Sequence, residues 1–274
     1  MTLTPEILSQ YNLSTAGNEK AIEQAVANLN SGAVVLLGVS GKKGAGKDTF
    51  AEGLKGLIEE RDNKPVVLEA FGNPLKGEAT SMIMQIESFL THDRTTYERD
   101  FLKRFASINS VSVEQAREIY NLMKPALERP HLKKIDGWTR STEVWDLLRL
   151  LGTDIRQPQD KLYWVRRVCQ TICVNANNGI STIISDVRFL HEVQALQAIG
   201  GYVARIDVSP EVQAVRLGKR DNVKASVNAT VHSSETQLDG YEDFDIRINN
   251  DSDGGLDVKL AEIYVDWSRK RTGK

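Results

Sequence analysis

The fold is decided by one apolar stretch and the glycine-rich run that follows it. The apolar stretch is Ala33-Val34-Val35-Leu36-Leu37-Gly38-Val39, and after Ser40 the chain continues with Gly41-Lys42-Lys43-Gly44-Ala45-Gly46-Lys47-Asp48-Thr49. Successive apolar residues without polar alternation are typical of a parallel strand that is covered on both faces. Beyond the glycines, apolar residues recur at helical spacing as far as Ile58. The stretch therefore predicts a strand, a glycine-rich turn and a helix in immediate succession.

The glycine-rich run contains the pattern G-x-x-x-x-G-K of a phosphate-binding loop, from Gly41 to Lys47. Glycines let backbone N–H groups turn inward around phosphates, and the N-terminus of the following helix adds partial positive charge. Lys47 is expected to neutralise charge on the β- and γ-phosphates. Because Asp48 stands where Ser or Thr usually faces magnesium, Thr49 is the first candidate for that hydroxyl, with Asp48 acting through water. The alternative is a glycine-rich turn without a ligand.

Further apolar stretches predict a five-stranded parallel sheet flanked by helices, with the remaining strands at residues 65–70, 181–186, 202–208 and 244–249. Residues 1–31 are expected to form a helical N-terminal extension to a domain of residues 32–274. Within that domain, residues 75–175 are charged and helical in period. Small-molecule kinases carry a helical arm for the phosphate acceptor at this place, so we expect an acceptor-binding insertion. The polar residues 215–236 are expected to form a short lid.

Composition excludes several other classes of protein. The 35 Lys and Arg residues against 37 Asp and Glu residues give a net charge of −2, whereas nucleic-acid binders usually carry a strong basic field. The sequence has neither a membrane-length apolar run nor a signal-peptide pattern, so we expect a cytoplasmic protein that does not bind membranes. Residues 63–66 lack the acid of the GTPase signature Asn-Lys-x-Asp. Cys169 and Cys173 are expected to be core residues, with half of a metal site as the alternative.

Two charged residues lie at the carboxyl end of the predicted third strand. Asp186 ends that strand beside the phosphate loop, where an acid orders magnesium and its waters; the alternative is a helix N-cap. Arg188 lies at the carboxyl edge of the sheet, and its planar guanidinium suits an acceptor phosphate; the alternative is a structural salt bridge. Lys76 opens the insertion and is expected to play the same role with less directionality.

Several arginines and one tryptophan give further candidates. Arg149 and Arg156 flank a Gly-Thr-Asp turn and are expected to contact the acceptor, with a charged helix face as the alternative. Trp164 is expected to stack on a nucleobase or, alternatively, to lie in the core. Arg216 and Arg220 lie four residues apart on one helix face, as in an arginine-bearing lid that excludes water. The alternative is a solvated helix.

Five short blocks follow one another in order between residues 32 and 266. They are Gly41–Thr49 (G-x-K-x-x-G-K-D-T), Phe71–Lys76 (F-x-x-P-L-K), Leu150–Asp154 with Trp164 (L-G-T-D…W), Ser185–Phe189 with Glu192 (D-V-R-F…E) and His232–Glu235 (H-x-S-E). In these blocks the chain resembles the phage-type deoxynucleoside monophosphate kinases. It is more distantly similar to dephospho-CoA kinase and to one class of phosphomevalonate kinase. The resemblance implies a P-loop kinase fold.

The resemblance also implies a transferase that moves the γ-phosphate of ATP, with Mg²⁺, to a deoxynucleoside 5′-monophosphate (dNMP) for DNA precursor synthesis. On this interpretation the ATP contacts come from the residues of the glycine-rich run, Gly41, Lys42, Lys43, Gly44, Ala45, Gly46, Lys47, Asp48 and Thr49. The catalytic residues are Lys47, Arg188, Arg216 and Arg220. The dNMP contacts are Lys76, Arg149, Thr153, Asp154, Arg156, Trp164, Asp186, Arg188 and Glu235. The metal contacts are Thr49, Asp48 and Asp186.

Two other functions are compatible with the same motifs. One is a P-loop kinase for another small phosphorylated acceptor, of the dephospho-CoA or phosphomevalonate type. The other is a regulatory protein that binds nucleotide without turnover. A phage-encoded enzyme would act in the host cytoplasm, and a homodimer is one expectation for its oligomeric state.

Overall fold

The computed structural model describes residues 19–92, 96–128, 142–221, 236–252 and 254–272. They form two compact units. The sheet unit contains the described residues up to Phe71 and from Val165 onward, and the helical unit is Gly72–Trp164.

The sheet unit is an α/β structure built on parallel strands. Its strands are β1 (Leu36–Gly41), β2 (Val66–Glu69), β3 (Ser181–Val187), β4 (Tyr202–Asp207) and β5 (Ile246–Asn249). Within the described residues they form one five-stranded sheet in the order β2-β3-β1-β4-β5, with every neighbouring pair parallel. The central strand β1 is buried along its whole length, as its apolar sequence predicts. The predicted α/β class with a five-stranded parallel sheet is confirmed.

Helices flank this sheet. They are α1 (Glu19–Asn30), α2 (Lys47–Asp62), α7 (Tyr163–Asn177), α8 (Leu190–Ala198), α9 (Pro210–Asp221) and α10 (Leu256–Thr272). The apolar stripe of α2, including Phe50 and Leu54, packs in one buried cluster with Ile263 of α10 and the sheet residues Leu37 and Ile206. This packing fixes the start of α2 directly beyond the end of β1.

Helix α1 belongs to the same compact unit as the sheet. Its apolar residues Ala25 and Leu29 are buried, and Asn28 Nδ2 donates a hydrogen bond to the carbonyl oxygen of Ala176 in α7 at 3.1 Å. The predicted N-terminal extension therefore includes one helix that packs on the sheet unit. The preceding residues 1–18 lie outside the described part of the chain.

The helical unit has a core of its own. Its helices are α3 (Asn73–His92), α4 (Glu98–Asn109), α5 (Val113–Leu127) and α6 (Thr142–Arg149), followed by a π-helical turn (Leu150–Arg156) and a single helical turn (Gln157–Gln159). A continuous cluster of buried apolar residues joins these helices, and Phe89 stacks on Phe101 with ring centroids 4.1 Å apart. Ser112 and Gln115 form a capping box at the start of α5.

Two negative findings concern the described residues. No helix in them is long and apolar enough to cross a membrane. They also contain no group of three or more His, Cys, Asp or Glu side chains that could hold a metal ion. Cys169 and Cys173 are both buried free thiols in α7, and burial raises the pKa of Cys173 to about 11. Their burial supports the core interpretation of these cysteines.

Candidate active site

The glycine-rich turn joins the end of the central strand β1 to the first residue of α2. Gly41 has a φ of 157°, and a Cβ atom there would lie 2.7 Å from the carbonyl oxygen of Ile206 in β4. Gly46 precedes α2 with a φ of 94°, in the left-handed region that favours glycine. Lys47 is only 8% exposed, and its Nζ donates a hydrogen bond to the Lys42 carbonyl oxygen at 3.0 Å. The ammonium group of Lys47 therefore lies against the backbone of the turn.

Polar side chains from distant parts of the sheet unit hold the turn in place. Asn250, just beyond β5, donates from Nδ2 to the Ala45 carbonyl oxygen at 2.9 Å. Gln213 of α9 donates from Nε2 to the Lys43 carbonyl oxygen at 2.6 Å. Both side chains donate to carbonyl oxygens, so neither of these two bonds occupies a backbone N–H group of the turn. The N–H of Ala45 donates to the Lys42 carbonyl oxygen at 3.0 Å. The N-terminus of α2, directly after the turn, is the kind of backbone feature that binds anions.

A pocket of about 260 Å³ opens beside the turn within the sheet unit. It brings Thr49 of α2 together with Arg216 of α9, two residues that the sequence predicted in the same site. Asn250 also lines it, so one side chain both braces the turn and borders the pocket. Among the described residues, the lining consists of Gly46, Thr49, Phe50, Arg216, Asn250, Ser252, Gly254 and Leu256.

Of the other predicted residues of the turn and the lid, only some have side chains in the described part of the chain. Lys43 and Asp48 are exposed, and Asp48 lies in the first turn of α2. The backbone of Arg220 lies in α9, but its side chain is outside the described part of the chain, as are His232 and Glu235. Their predicted roles stay predictions.

Asp186 and Arg188 lie at the carboxyl end of β3, the strand next to β1. Ser40 pairs with Val187 in the parallel register, so the ends of the two strands are neighbours. Asp186 Oδ1 accepts a hydrogen bond from the backbone N–H of Phe71 at 2.6 Å. The N-cap of the following helix α8 is Phe189, so the alternative interpretation of Asp186 as that cap is wrong.

Glu192 in the first turn of α8 fixes the backbone that carries Arg188. Its Oε2 accepts the N–H of Arg188 at 2.7 Å and the N–H of Phe189 at 3.0 Å. The carboxyl group is 6% exposed, and this burial raises its pKa to about 8, against the opposing effect of the two hydrogen bonds and with a further rise from the Asp186 charge. The resemblance marked Glu192 as part of a block but assigned it no role.

Arg156 is buried and hydrogen-bonded within the helical unit, which favours a structural role over the predicted dNMP contact. Its side chain is 5% exposed. Its Nε donates to Glu78 Oε2 at 3.1 Å, and its Nη1 and Nη2 donate to the backbone carbonyl oxygens of Ser110 and Asn109 at 3.0 Å and 2.7 Å. The three guanidinium nitrogens therefore join α3, the end of α4 and the π-helical turn.

The remaining candidates of the helical unit are divided between core and surface. Trp164 Nε1 donates to the Gly152 carbonyl oxygen at 3.3 Å, and its ring packs against the apolar core, which favours the core interpretation. Arg149 is 70% exposed and lies 3.9 Å from Asp154 in an ion pair. Lys76 and Thr153 are exposed.

The oxygen donors near the turn fit magnesium. Mg²⁺ usually binds one or two protein carboxylates, several waters and the phosphates of a substrate, rather than a cage of protein ligands. The hydroxyl of Thr49 and the carboxylates of Asp48 and Asp186 are hard oxygen ligands of this kind. The absence of a three-residue cluster in the described chain is compatible with such a site.

No protein-family model matches the chain, and no curated protein matches it.

Proposed function

We propose that the protein transfers the γ-phosphoryl group of ATP to a deoxynucleoside 5′-monophosphate. The observation that carries this proposal is the position of the glycine-rich turn, with its buried Lys47, directly after the central strand of the sheet. In open α/β sheets, ligands bind beyond the carboxyl ends of the strands where the strand order reverses. Strand β1 lies at such a point, with β3 and β2 on one side and β4 and β5 on the other.

The turn and the adjoining pocket would bind the donor nucleotide. The N–H groups of the turn and the N-terminus of α2 would take the phosphates, and Lys47 would neutralise their charge. Arg216 and Asn250 line the pocket beside Thr49, on the side of α9 and of the residues after β5. Arg216 would supply a second cation close to the phosphates, as the predicted lid arginine.

The acceptor phosphate would be bound by Arg188, and we interpret the helical unit as the predicted acceptor-binding insertion. The backbone N–H of Arg188 is held at the end of β3 by Glu192, which places its guanidinium group at the carboxyl edge of the sheet. Arg149 and Lys76 are exposed cations of the helical unit and stay candidates for the acceptor phosphate.

The reaction would need no covalent intermediate, because a phosphate oxygen of the acceptor is already a nucleophile at neutral pH. The protein's part would be positioning and neutralisation of charge, through Lys47 at the donor and Arg188 at the acceptor. Magnesium, held by Thr49, Asp48 or Asp186, would neutralise charge on the donor phosphates when bound.

A panel of acceptors tests the proposal. Purified protein with Mg-ATP is assayed for ADP and for phosphorylated product with dAMP, dGMP, dCMP, dTMP, dephospho-CoA and phosphomevalonate. The proposal expects a deoxynucleoside diphosphate from at least one dNMP, in equal amount to the ADP. Transfer only to a non-nucleotide acceptor would favour the second kind of kinase, and ATP binding without turnover would favour a regulatory protein.

Lys47→Ala separates loss of the site from loss of the fold. Since α2 is held in place by its buried apolar stripe, the variant should keep its circular dichroism spectrum and lose transfer. Lys55→Ala, on the same helix but beyond the turn, is the matched control and should keep activity. A Lys47→Ala protein with normal turnover would refute the assignment of the turn.

A further inference from the structure

Charged side chains of alternating sign run from the glycine-rich turn along the carboxyl edge of the sheet. Lys42 Nζ lies 2.8 Å from Asp239 Oδ2, and Asp239 Oδ1 lies 3.6 Å from Arg205 Nη2. Arg205 Nε is 3.2 Å from Asp207 Oδ1, and Asp207 Oδ2 is 2.9 Å from Arg247 Nε. We name Lys42, Asp239, Arg205, Asp207 and Arg247 the charge chain. Its three cations and two anions give it a net charge of +1.

Arg205 is the buried centre of the charge chain. It is 6% exposed, and its Nη1 also donates to Ser40 Oγ at 3.1 Å, on the strand that leads into the turn. Its guanidinium carbon lies 5.7 Å from the centre of the Phe244 ring. Hydrogen bonds to Ser40 and Asp207 fix the guanidinium group relative to β1 and β4, and its charge attracts the Asp239 carboxylate in an ion pair at 3.6 Å.

The charge chain borders open space beside the turn rather than a closed interior. It lines a cavity of about 320 Å³ together with Gln213, the residue that binds the Lys43 carbonyl oxygen. Lys42 and Asp239 are each more than a third exposed, in contrast to Arg205. A buried arginine thus supports a carboxylate, which in turn supports an accessible ammonium group of the turn.

We propose that Arg205 and Asp239 are positioning residues that hold the Lys42 ammonium group for the phosphates of the donor. This inference rests on the proposed function, since it requires a nucleoside triphosphate at the turn. An ammonium group has three N–H donors, so Lys42 can bind Asp239 and a phosphate oxygen together. A lysine that is already held loses less side-chain freedom when the phosphate binds.

Net charge and positioning predict opposite results for Asp239→Asn. If Asp239 acts only as a negative charge, its removal raises the local positive charge and tightens binding of Mg-ATP. If Asp239 positions Lys42, its removal weakens binding, by about threefold to fivefold for a partly exposed ion pair. Arg205→Lys keeps the charge but loses the planar fork, and positioning through Asp239 predicts weaker binding by no more than the loss in Asp239→Asn.

Titration of Mg-ATP into the full chain by calorimetry tests the inference. Asp243→Asn makes the same change of charge at an exposed position outside the charge chain and is the matched control, expected to bind as the wild type does. In a Lys42→Ala background, Asp239→Asn should cause no further loss, because Asp239 acts through Lys42. A purely structural role would cause the same loss in both backgrounds.

The outcomes separate this inference from the proposed function. Weaker binding by Asp239→Asn that disappears in the Lys42→Ala background supports the inference. Binding that is equal or tighter, or a loss that persists in that background, overturns it and leaves the proposed function standing. A wild-type chain that binds no Mg-ATP overturns both.

Discussion

The carboxylate of Glu192 and the backbone of Arg188 are joined by a hydrogen bond of 2.7 Å at the end of β3. The bond uses the backbone N–H of Arg188, so it does not depend on which side chain residue 188 carries. The carboxylate that fixes it is buried and close to Asp186, and both facts favour its protonated form. The position of Arg188 is therefore linked to the ionisation of a buried acid.

This link predicts how stability depends on pH. The pKa of Glu192 is raised from 4.5 to about 8 in the folded chain, so between these values the folded chain holds a proton that the unfolded chain has released. The stabilising contribution is complete below about pH 4.5 and is lost as the pH rises through about 8. Urea unfolding at about pH 5 and about pH 8 should show a lower free energy of unfolding at the higher pH.

Glu192→Gln should reduce that dependence, since an amide does not titrate. Glu118→Gln, a substitution of an exposed glutamate, is the control and should leave the dependence as in the wild type. If Glu192→Gln and the wild type change equally with pH, Glu192 is not the group that titrates.

Arg188→Ala tests the acceptor site while keeping the backbone hydrogen bond to Glu192. Because Glu192 binds the backbone N–H of residue 188, alanine keeps that bond. The KM for the dNMP should rise by roughly tenfold to a hundredfold, since a hydrogen bond to a charged group contributes about 1.5–3 kcal/mol, while the KM for ATP should change little. Arg167→Ala, at an exposed position of α7, is the control. A larger rise in the KM for ATP than for the acceptor would remove Arg188 from the acceptor site.

The sequence predicts the sheet well because its strands are local apolar stretches. Their ends are less exact: β1 begins at Leu36 rather than Ala33, although Val34 and Val35 are both buried. Apolar residues report burial, whereas a strand also requires hydrogen bonds to neighbouring strands. The predicted strand therefore included buried residues that precede the ladder.

The side chains that support the turn are much harder to predict from the sequence. Asn250 is 205 residues from Ala45, and Asp239 is 197 residues from Lys42. No local spacing links such pairs, so only the strand order brings them together. Arg156 illustrates the same difficulty. The sequence shows that it lies in a cluster of arginines, but not that its side chain binds Glu78, which is 78 residues away.

Gly41→Ala should disrupt the turn. Its Cβ would lie 2.7 Å from a backbone oxygen of β4, in a chain conformation that favours glycine, which costs about 1–3 kcal/mol of stability. Gly56→Ala is the matched control, since nothing lies within 4 Å of a Cβ at this helical position. That substitution should stabilise α2 by about 0.5–1 kcal/mol. Thermal unfolding and Mg-ATP titration of both variants measure the effects, and a Gly41→Ala protein as stable as the wild type would contradict the close approach of β1 and β4.

Substitution of Arg156 should lower the stability of the protein, whereas substitution of Arg149 should change stability little. Arg156→Lys keeps the charge, but one ammonium nitrogen cannot occupy the three positions from which Nε, Nη1 and Nη2 donate. It should therefore cost about 3 kcal/mol of stability, as expected for a broken buried pair. Arg149→Ala removes an exposed ion pair and should cost at most about 1 kcal/mol. Urea unfolding followed by circular dichroism compares the two.

The KM for the dNMP should rise in Arg149→Ala if this residue contacts the acceptor. A stable Arg156→Lys protein whose only defect is a raised KM for the dNMP would instead restore Arg156 to the acceptor site.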